Sequence, residues 1–261
     1  MITVVKLGGN IIDDEKSLSG FLLQFANLPG KKILVHGGGK LATQLAEKMG
    51  IKSEMIDGRR VTDAETLKLV TMVYAGWINK CVVAKLQSLN CNAIGLSGAD
   101  GNLIRSEKRA AIPVDFGFVG DPLENEINSG LLKNLLENGF TPVVAPVTHD
   151  GKGQLLNTNA DTIASVIASS LAKSGKVQLL YCFEKNGVLK NVADSESYFP
   201  ELKKIQFDEL ISSGKIHSGM LPKLKAGFKA KTNGVTRVVI GNAGQLSELA
   251  KENSICTSLE I

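Results

Sequence analysis

Six short runs of β-branched and aliphatic residues recur along the chain, and stretches of helical period separate them. The runs are ITVVKL (2–7), KKILVH (31–36), CNAIGLS (91–97), TPVVAPV (141–147), KVQLLYCF (176–183) and VTRVVIG (235–241). Each is apolar on both alternating positions, which predicts strands covered on both faces. Helical patterns are clearest over 41–49, 64–89, 128–138 and 161–172. Buried strands separated by helices predict βαβ units, hence an α/β fold with an open, mainly parallel sheet sandwiched between helices. The stretch SEKRAAIPVDFGFVGDP (106–122) breaks the rhythm with alternation, Pro and Gly, and reads as one or two hairpins.

Helix starts and the domain boundary follow from local chemistry. Thr62 followed by Glu65 fits a capping box for a long helix from Asp63, which Gly76 is expected to interrupt. Thr158 followed by Asp161 does the same for a helix whose Ile163, Val166, Ile167 and Leu171 share one face. The AKSGK segment after it divides the chain into 1–173 and 174–261.

Bulk properties narrow the partners. A formal charge of +4 with no Lys/Arg block and 5% aromatic residues offers no nucleic-acid surface. No uninterrupted apolar run approaches the ~18 residues of a membrane span, and MITVVKLGGNIIDD lacks the layout of a signal peptide. Cys81, Cys91, Cys182 and Cys256 form no CxxC pair, and His36, His149 and His217 are scattered, so the sequence assigns no metal site. A cytoplasmic protein without membrane or nucleic-acid partners is expected.

The glycines carry the chemistry. HGGGKLA (36–42) fails the Walker A pattern, because Leu34 stands at its first glycine and Leu41 follows the lysine. The dinucleotide fingerprint does fit Gly37, Gly39 and Ala42, with Asp57 as the acidic partner, which keeps an NAD-dependent oxidoreductase open. However, VVKLGGN (4–10) ends an earlier strand with its own glycine turn, Gly8-Gly9, beside Lys6. Two glycine turns after neighbouring strands bring two backbone N–H nests and a lysine to one sheet edge, a phosphate-binding arrangement.

The ordered set VVKLGGN, ILVHGGGK, GRRVTDAETL, LNTNADTIAS and SGMLPKLKAG, running from residue 2 to about 241, resembles the amino acid kinase family. Within it the set is most similar to the branch acting on N-acylated glutamate. The resemblance implies an αβα sandwich whose N-terminal lobe binds the acyl amino acid and dimerises, and whose C-terminal lobe binds ATP. It implies transfer of phosphoryl from ATP, carried with Mg2+, to the γ-carboxylate of N-acetyl-L-glutamate, the second step of arginine biosynthesis. A carboxylate of ordinary pKa ~4.3 is already ionised, so no general base is required.

By the same resemblance, Lys6 and Lys223 touch the transferring phosphoryl group and Asp161 holds the two lysines. Gly8 and Gly9 serve the nucleotide phosphates, and Gly38 and Gly39 the substrate. Arg60 clamps the α-carboxylate, with adjacent Arg59 the alternative, while Asn157 and Asn159 bind the α-carboxylate and acylamide. The family's Thr/Ser-Asp pair is replaced by Tyr181-Cys182, so no nucleotide contact is carried over there; Tyr181 is a candidate for stacking on adenine. Relatives inhibited by arginine carry an extra N-terminal helix that links dimers into hexamers. This chain enters its first strand within three residues, which implies a homodimer without arginine inhibition, with helix 63–89 a candidate interface. An N-succinyl substrate, another member such as a carbamate, aspartate, glutamate or uridylate kinase, and a non-catalytic nucleotide-binding regulator are the alternatives.

Overall fold

The computed structural model describes residues 1–261 except 57, 58, 192, 195, 215, 217, 218, 252 and 253. Asp57 of the dinucleotide pattern and His217 lie outside the described residues. An eight-stranded sheet forms the centre. In chain order its strands are β1 (Ile2–Leu7), β2 (Lys31–His36), β3 (Ala93–Leu96), β4 (Thr141–Val144), β5 (Val177–Phe183), β6 (Glu201–Lys203), β7 (Arg237–Asn242) and β8 (Thr257–Glu260). Their spatial order is β6-β8-β7-β5-β1-β2-β4-β3, and only the β7–β8 pairing is antiparallel. The expected α/β architecture is thus present.

Side-chain alternation on the central strands sends neighbours to opposite faces. Val4 of β1, Ile33 and Val35 of β2, and Leu179 and Tyr181 of β5 pack into one core. Helices α5 (Ser129–Glu137), α6 (Ala160–Ala172), α7 (Lys204–Ser212) and α8 (Leu221–Thr232) cover that face. Val5, Leu7, Leu34, Leu180 and Cys182 pack into the other. Its cover comes from α2 (Glu15–Asn27), α3 (Gly39–Lys48), α4 (Ala64–Ser88) and the short α9 (Leu246–Leu249). A single turn, α1 (Gly9–Ile12), follows β1.

Several local expectations are corrected. The cap of α4 is Asp63, whose Oδ1 accepts from Thr66 N at 2.8 Å, while the Thr62 hydroxyl donates to Arg60 O at 3.0 Å. The cap of α6 is Asn159, whose Oδ1 accepts from the N–H groups of Asp161 and Thr162; the Thr158 hydroxyl is spent on Thr148 Oγ1 and Gly120 O. The Thr62 oxygen accepts instead from Asn157 Nδ2, and the Thr158 hydroxyl is held by Thr148 and Gly120, so tertiary partners take both oxygens from the helix ends. Gly76 does not break α4, which instead widens into a π-helical stretch over Met72–Ile78. TPVVAPV divides between β4 and a second strand, Val147–His149. That strand joins a four-stranded sheet with Leu155–Asn157 and the antiparallel pair Ile104–Lys108 and Gly120–Ile127, which realises the hairpin expected over 106–122. Though no uninterrupted apolar run reaches span length, α4 does pass a length-and-hydropathy test, with mean hydropathy 1.2 over an 18-residue window. That window is 44% buried inside the fold, with Met72 and Trp77 left exposed.

Candidate active site

The site grows from the carboxyl ends of three adjacent parallel strands. β1 has β2 on one side and β5 on the other, so the chain's connections diverge at β1 and leave a crevice there. Lys6, two residues beyond Val4, lies on the α6–α8 face, in register with Tyr181 of β5. On that face α6 and α8 are tied together by Ser165 Oγ, which donates to Ala226 O at 2.7 Å. Asp161 in the first turn of α6 and Lys223 in the first turn of α8 therefore converge above the end of β1. Pro222 lies in the first turn of α8, where its missing N–H costs no intrahelical bond, and the next residue, Lys223, reaches the crevice.

Asp161 Oδ1 accepts from Lys6 Nζ at 2.8 Å and from Lys223 Nζ at 3.0 Å. All three residues are buried. Burial opposes charge on the Asp161 carboxyl, but Lys223 and Lys6 outweigh it and hold the group well below the usual carboxylate range. Lys223 is pushed down to about 8, by burial first and by Lys6, against the pull of Asp161. Its ammonium also lies 5.3 Å from the Tyr181 ring centroid and 5.8 Å from that of Phe183. Two ammonium groups held by one carboxylate leave an excess positive charge facing the crevice, which suits a group that gains negative charge.

The glycine turns face this cluster. Gly9, Gly38 and Gly39 approach closely: a Cβ on Gly9 would lie 3.8 and 3.9 Å from the Gly38 and Gly39 nitrogens. Gly38 adopts φ +148, and a Cβ there would meet Ile78 Cδ1 at 2.3 Å, so both conformation and space require glycine. The N–H of Gly8 donates to Cys182 O at 2.9 Å and is spent within the sheet; Gly8 contributes its surface rather than the N–H donor expected of it.

Arg60 is buried, and its guanidinium donates to Gly39 O and Thr43 Oγ1, each at 2.8 Å, and to Ser53 Oγ. These partners are neutral oxygens, so among the described residues the charge is braced against the glycine turn without being compensated. Such a fork fits an incoming carboxylate. Asn157 Nδ2 donates to Thr62 Oγ1 at 3.0 Å, and Asn159 spends its side-chain oxygen on the α6 cap while its amide nitrogen stays available.

Three adjoining cavities organise these groups. The first, about 230 Å³, is lined by Lys6, Gly9, Gly38, Gly39, Arg60, Asn157, Asn159 and Asp161 among others. The second, about 410 Å³, shares Lys6, Gly9, Arg60 and Asp161 with it and adds Gly8 and Lys223. All ten residues singled out in the sequence thus line the first two cavities. The third, about 480 Å³, meets the second at Asn10, Phe183, Glu184 and Lys223 and runs between apolar walls that include Val188, Leu189, Phe199 and Met220.

Sequence reasoning missed that third cavity and the Asn10–Glu184 bridge, Nδ2 to Oε1 at 2.9 Å, at its mouth. The signal was present in GVLK (187–190) and SYF (197–199), but chain folding was needed to bring them opposite Met220. Tyr181, a candidate for stacking on adenine, is fully buried beneath the cluster and donates through Oη to Asp161 O at 3.0 Å, so it supports the helix and cannot stack on a ligand.

Comparison with known proteins agrees with this geometry. The amino acid kinase family model matches residues 1–242. The acetylglutamate kinase of Cytophaga hutchinsonii is 52% identical over 251 residues, covering 96% of this chain and 94% of that one. That of Parabacteroides distasonis is 50% identical, covering 95% and 96%. An N-acetylglutamate synthase from Neisseria gonorrhoeae, solved with coenzyme A and N-acetyl-glutamate, superposes with a TM-score of 0.83 at 21% identity. It covers all of this chain, which spans 59% of that longer one, and at this identity shows the fold alone. The dinucleotide reading of Gly37, Gly39 and Ala42 gives way: by the paired lysines, the glycine turns and the match along its length, this chain belongs to the amino acid kinase family.

Proposed function

We propose that this chain is an ATP-dependent kinase that phosphorylates the γ-carboxylate of an N-acylated L-glutamate, N-acetyl-L-glutamate being the substrate its relatives' name implies. The product is the 5-acyl phosphate, and the reaction is the second step of arginine biosynthesis. The observation that carries the reading is the Lys6–Asp161–Lys223 cluster at the junction of the cavities.

Residues 1–173 supply the acyl-amino-acid side, and 174–261 most of the ATP side. The first cavity supports this, being lined wholly from the N-terminal part. The third, whose lining apart from Asn10 comes from 183–223, has room and apolar walls for a nucleoside. Arg60 takes the α-carboxylate, and the Asn159 amide takes the acylamide. The γ-carboxylate then lies beside Lys6, and the terminal phosphoryl group of ATP lies between Lys6 and Lys223. A carboxylate oxygen forms the new bond to phosphorus, the bond to the β–γ bridging oxygen breaks, and ADP leaves with that electron pair. No proton is moved. The two lysines and the Gly9, Gly38 and Gly39 N–H groups neutralise charge on the transferring oxygens.

Mg2+ fits this chain only through the nucleotide. Among the described residues no group of three His, Cys, Asp or Glu side chains is placed to hold a metal ion. Asp161 is engaged by two lysines, and Glu184 accepts from Asn10. Phosphate oxygens and water supply the ligands in such sites. The same reading makes the chain a cytoplasmic homodimer, supported by four free thiols and by the exposed Met72 and Trp77 on α4.

The test is ATP consumption with Mg2+ and N-acetyl-L-glutamate, with free L-glutamate as the control and hydroxylamine trapping the acyl phosphate. Hydroxamate formation from the acylated substrate alone is the expected result. Turnover of free glutamate or carbamate instead would move the chain to another branch of the family.

A further inference from the structure

Arg60 has a buried polar neighbour that the roles above leave unused. Tyr74 stands in the π-helical stretch of α4, and its ring passes beneath the glycine turn: a Cβ on Gly38 would lie 3.2 and 3.3 Å from its Cδ1 and Cε1. Beyond the ring the hydroxyl comes up beside the next residue, where a Cβ on Gly39 would lie 3.9 Å from Oη. Arg60 Nη2 reaches the same residue, donating to Gly39 O at 2.8 Å. Tyr74 is only 5% exposed, and it lines the first cavity together with Gly39 and Arg60. Helices widened in this way are rare and recur at functional sites.

The hydroxyl proton is not spent within the protein. The cation beside the phenol is Arg60, and a guanidinium only donates. Among the described residues no acceptor takes the Tyr74 proton. Tyr181, by contrast, donates to Asp161 O at 3.0 Å. Burial raises the Tyr74 phenol above its ordinary range and Arg60 pulls it back only in part, so the group keeps its proton and can donate it.

Arg60 alone is short of donors for a carboxylate. Of the five N–H groups on a guanidinium, three are spent on Gly39 O, Thr43 Oγ1 and Ser53 Oγ, which leaves two. A carboxylate accepts at about four positions. A phenol held beside the guanidinium supplies another donor, and an O–H group bound to an anionic oxygen makes a short, strong bond.

We propose, resting on the kinase reading above, that Tyr74 Oη donates to the α-carboxylate of the acylated glutamate alongside Arg60, so that the pair selects substrates bearing that group. Tyr74 is then a substrate-binding residue that takes no part in phosphoryl transfer.

The experiment measures KM and kcat for N-acetyl-L-glutamate, with hydroxylamine trapping, in the wild type and Tyr74→Phe. N-acetyl-4-aminobutyrate, which keeps the γ-carboxylate and the acylamide but lacks the α-carboxylate, serves as a competitor. Tyr74→Phe should raise KM by about 10- to 10²-fold, the scale of a hydrogen bond to a charged group, and leave kcat nearly unchanged. The inhibition constant of the competitor should be the same in both proteins. The unfolding midpoint without substrate should also stay put, because the free protein does not use the hydroxyl proton. An unmoved KM overturns the inference, and so does a loss confined to kcat, which would place the hydroxyl at the transferring group. A competitor that weakens as much as the substrate overturns it as well, because the hydroxyl would then serve a group common to both. A lowered midpoint accompanying the raised KM would assign the hydroxyl to the fold instead. Each of these leaves the kinase reading standing. Absence of hydroxamate from the wild type removes that reading, and this inference falls with it.

Discussion

At the scale of single residues, Lys223 has the consequence easiest to measure. Burial and the neighbouring Lys6 push its ammonium down to about 8, despite the attraction of Asp161. Only the charged form neutralises a transferring phosphoryl group. The kcat/KM for the acylated substrate should therefore fall as pH rises past about 8, since that quantity reports the free enzyme. Lys223→Arg should move this limb beyond the assay range, because a guanidinium stays protonated there. A limb that stays put would assign the titration to another group. The stability sign follows from linkage. Between about 8 and the ordinary 10.5 the unfolded chain holds the proton more tightly, so Lys223 adds stability as pH rises across that window. Asp161, held below its ordinary 3.8, adds stability above that pH and loses it in acid. The identities of Lys6, Asp161 and Lys223 were legible in sequence because the motifs around them are local. The assignments of Thr62 and Thr158 as caps were wrong for the opposite reason. Their hydroxyls find partners that only the folded chain brings near: Asn157, 95 residues on, donates to Thr62, and Gly120 accepts from Thr158 38 residues away.

At the scale of elements, the glycine turn after β2 is set from beneath by α4. Tyr74 and Ile78, within and at the end of its π-helical stretch, lie where a side chain on Gly38 would go. The next residue, Asn79, donates through Nδ2 to both His36 Nε2 at 3.1 Å and Val143 O at 2.9 Å. The other ring nitrogen of His36 faces Gly37 O at 2.8 Å, and burial pushes the imidazole down to about 4, so it is neutral and donates through Nδ1. This histidine joins the end of β2, the glycine turn and α4. Gly38→Ala places Cβ 2.3 Å from Ile78 Cδ1 at a φ of +148, and should cost on the order of 2–3 kcal/mol of stability. Gly20→Ala, in α2 with nothing within 4 Å of the added Cβ, is the matched control and should be neutral to slightly stabilising. Urea unfolding of both variants decides the matter, and equal midpoints would show that the turn yields freely. The strands that build this region were legible because they are apolar on both faces. The π-helical widening was not, since Gly76 marks only a weak point and packing decides whether a helix breaks or widens there.

At the scale of the whole molecule, the proposed division at 173 does not divide the sheet. β1 and β5, from opposite sides of that boundary, pair over six residues, and the Lys6–Asp161–Lys223 cluster stands on their seam. The sequence boundary located the loop between α6 and β5, but strand order is a property of long-range pairing that no local pattern encodes. The same seam explains why α4, proposed as the dimer interface, bears on activity. Met72 and Trp77, 56% and 67% exposed, lie on its π-helical stretch, whose Tyr74 lines the first cavity. Large exposed apolar side chains on one helix suit a two-fold contact, in which each copy buries the other's. The wild type should then scatter light at about twice the 27.8 kDa chain mass, and Trp77→Glu should bring it to that of one chain. Burying a charge without a partner at the centre of such a contact is strongly unfavourable. Because the dimer contact would hold the stretch that buttresses Gly38 and places Tyr74, the monomeric variant should also show a raised KM for the acylated substrate. A dimer that persists would exclude Trp77 from the contact, whereas a monomer with an unchanged KM would show that α4 keeps its shape without a partner.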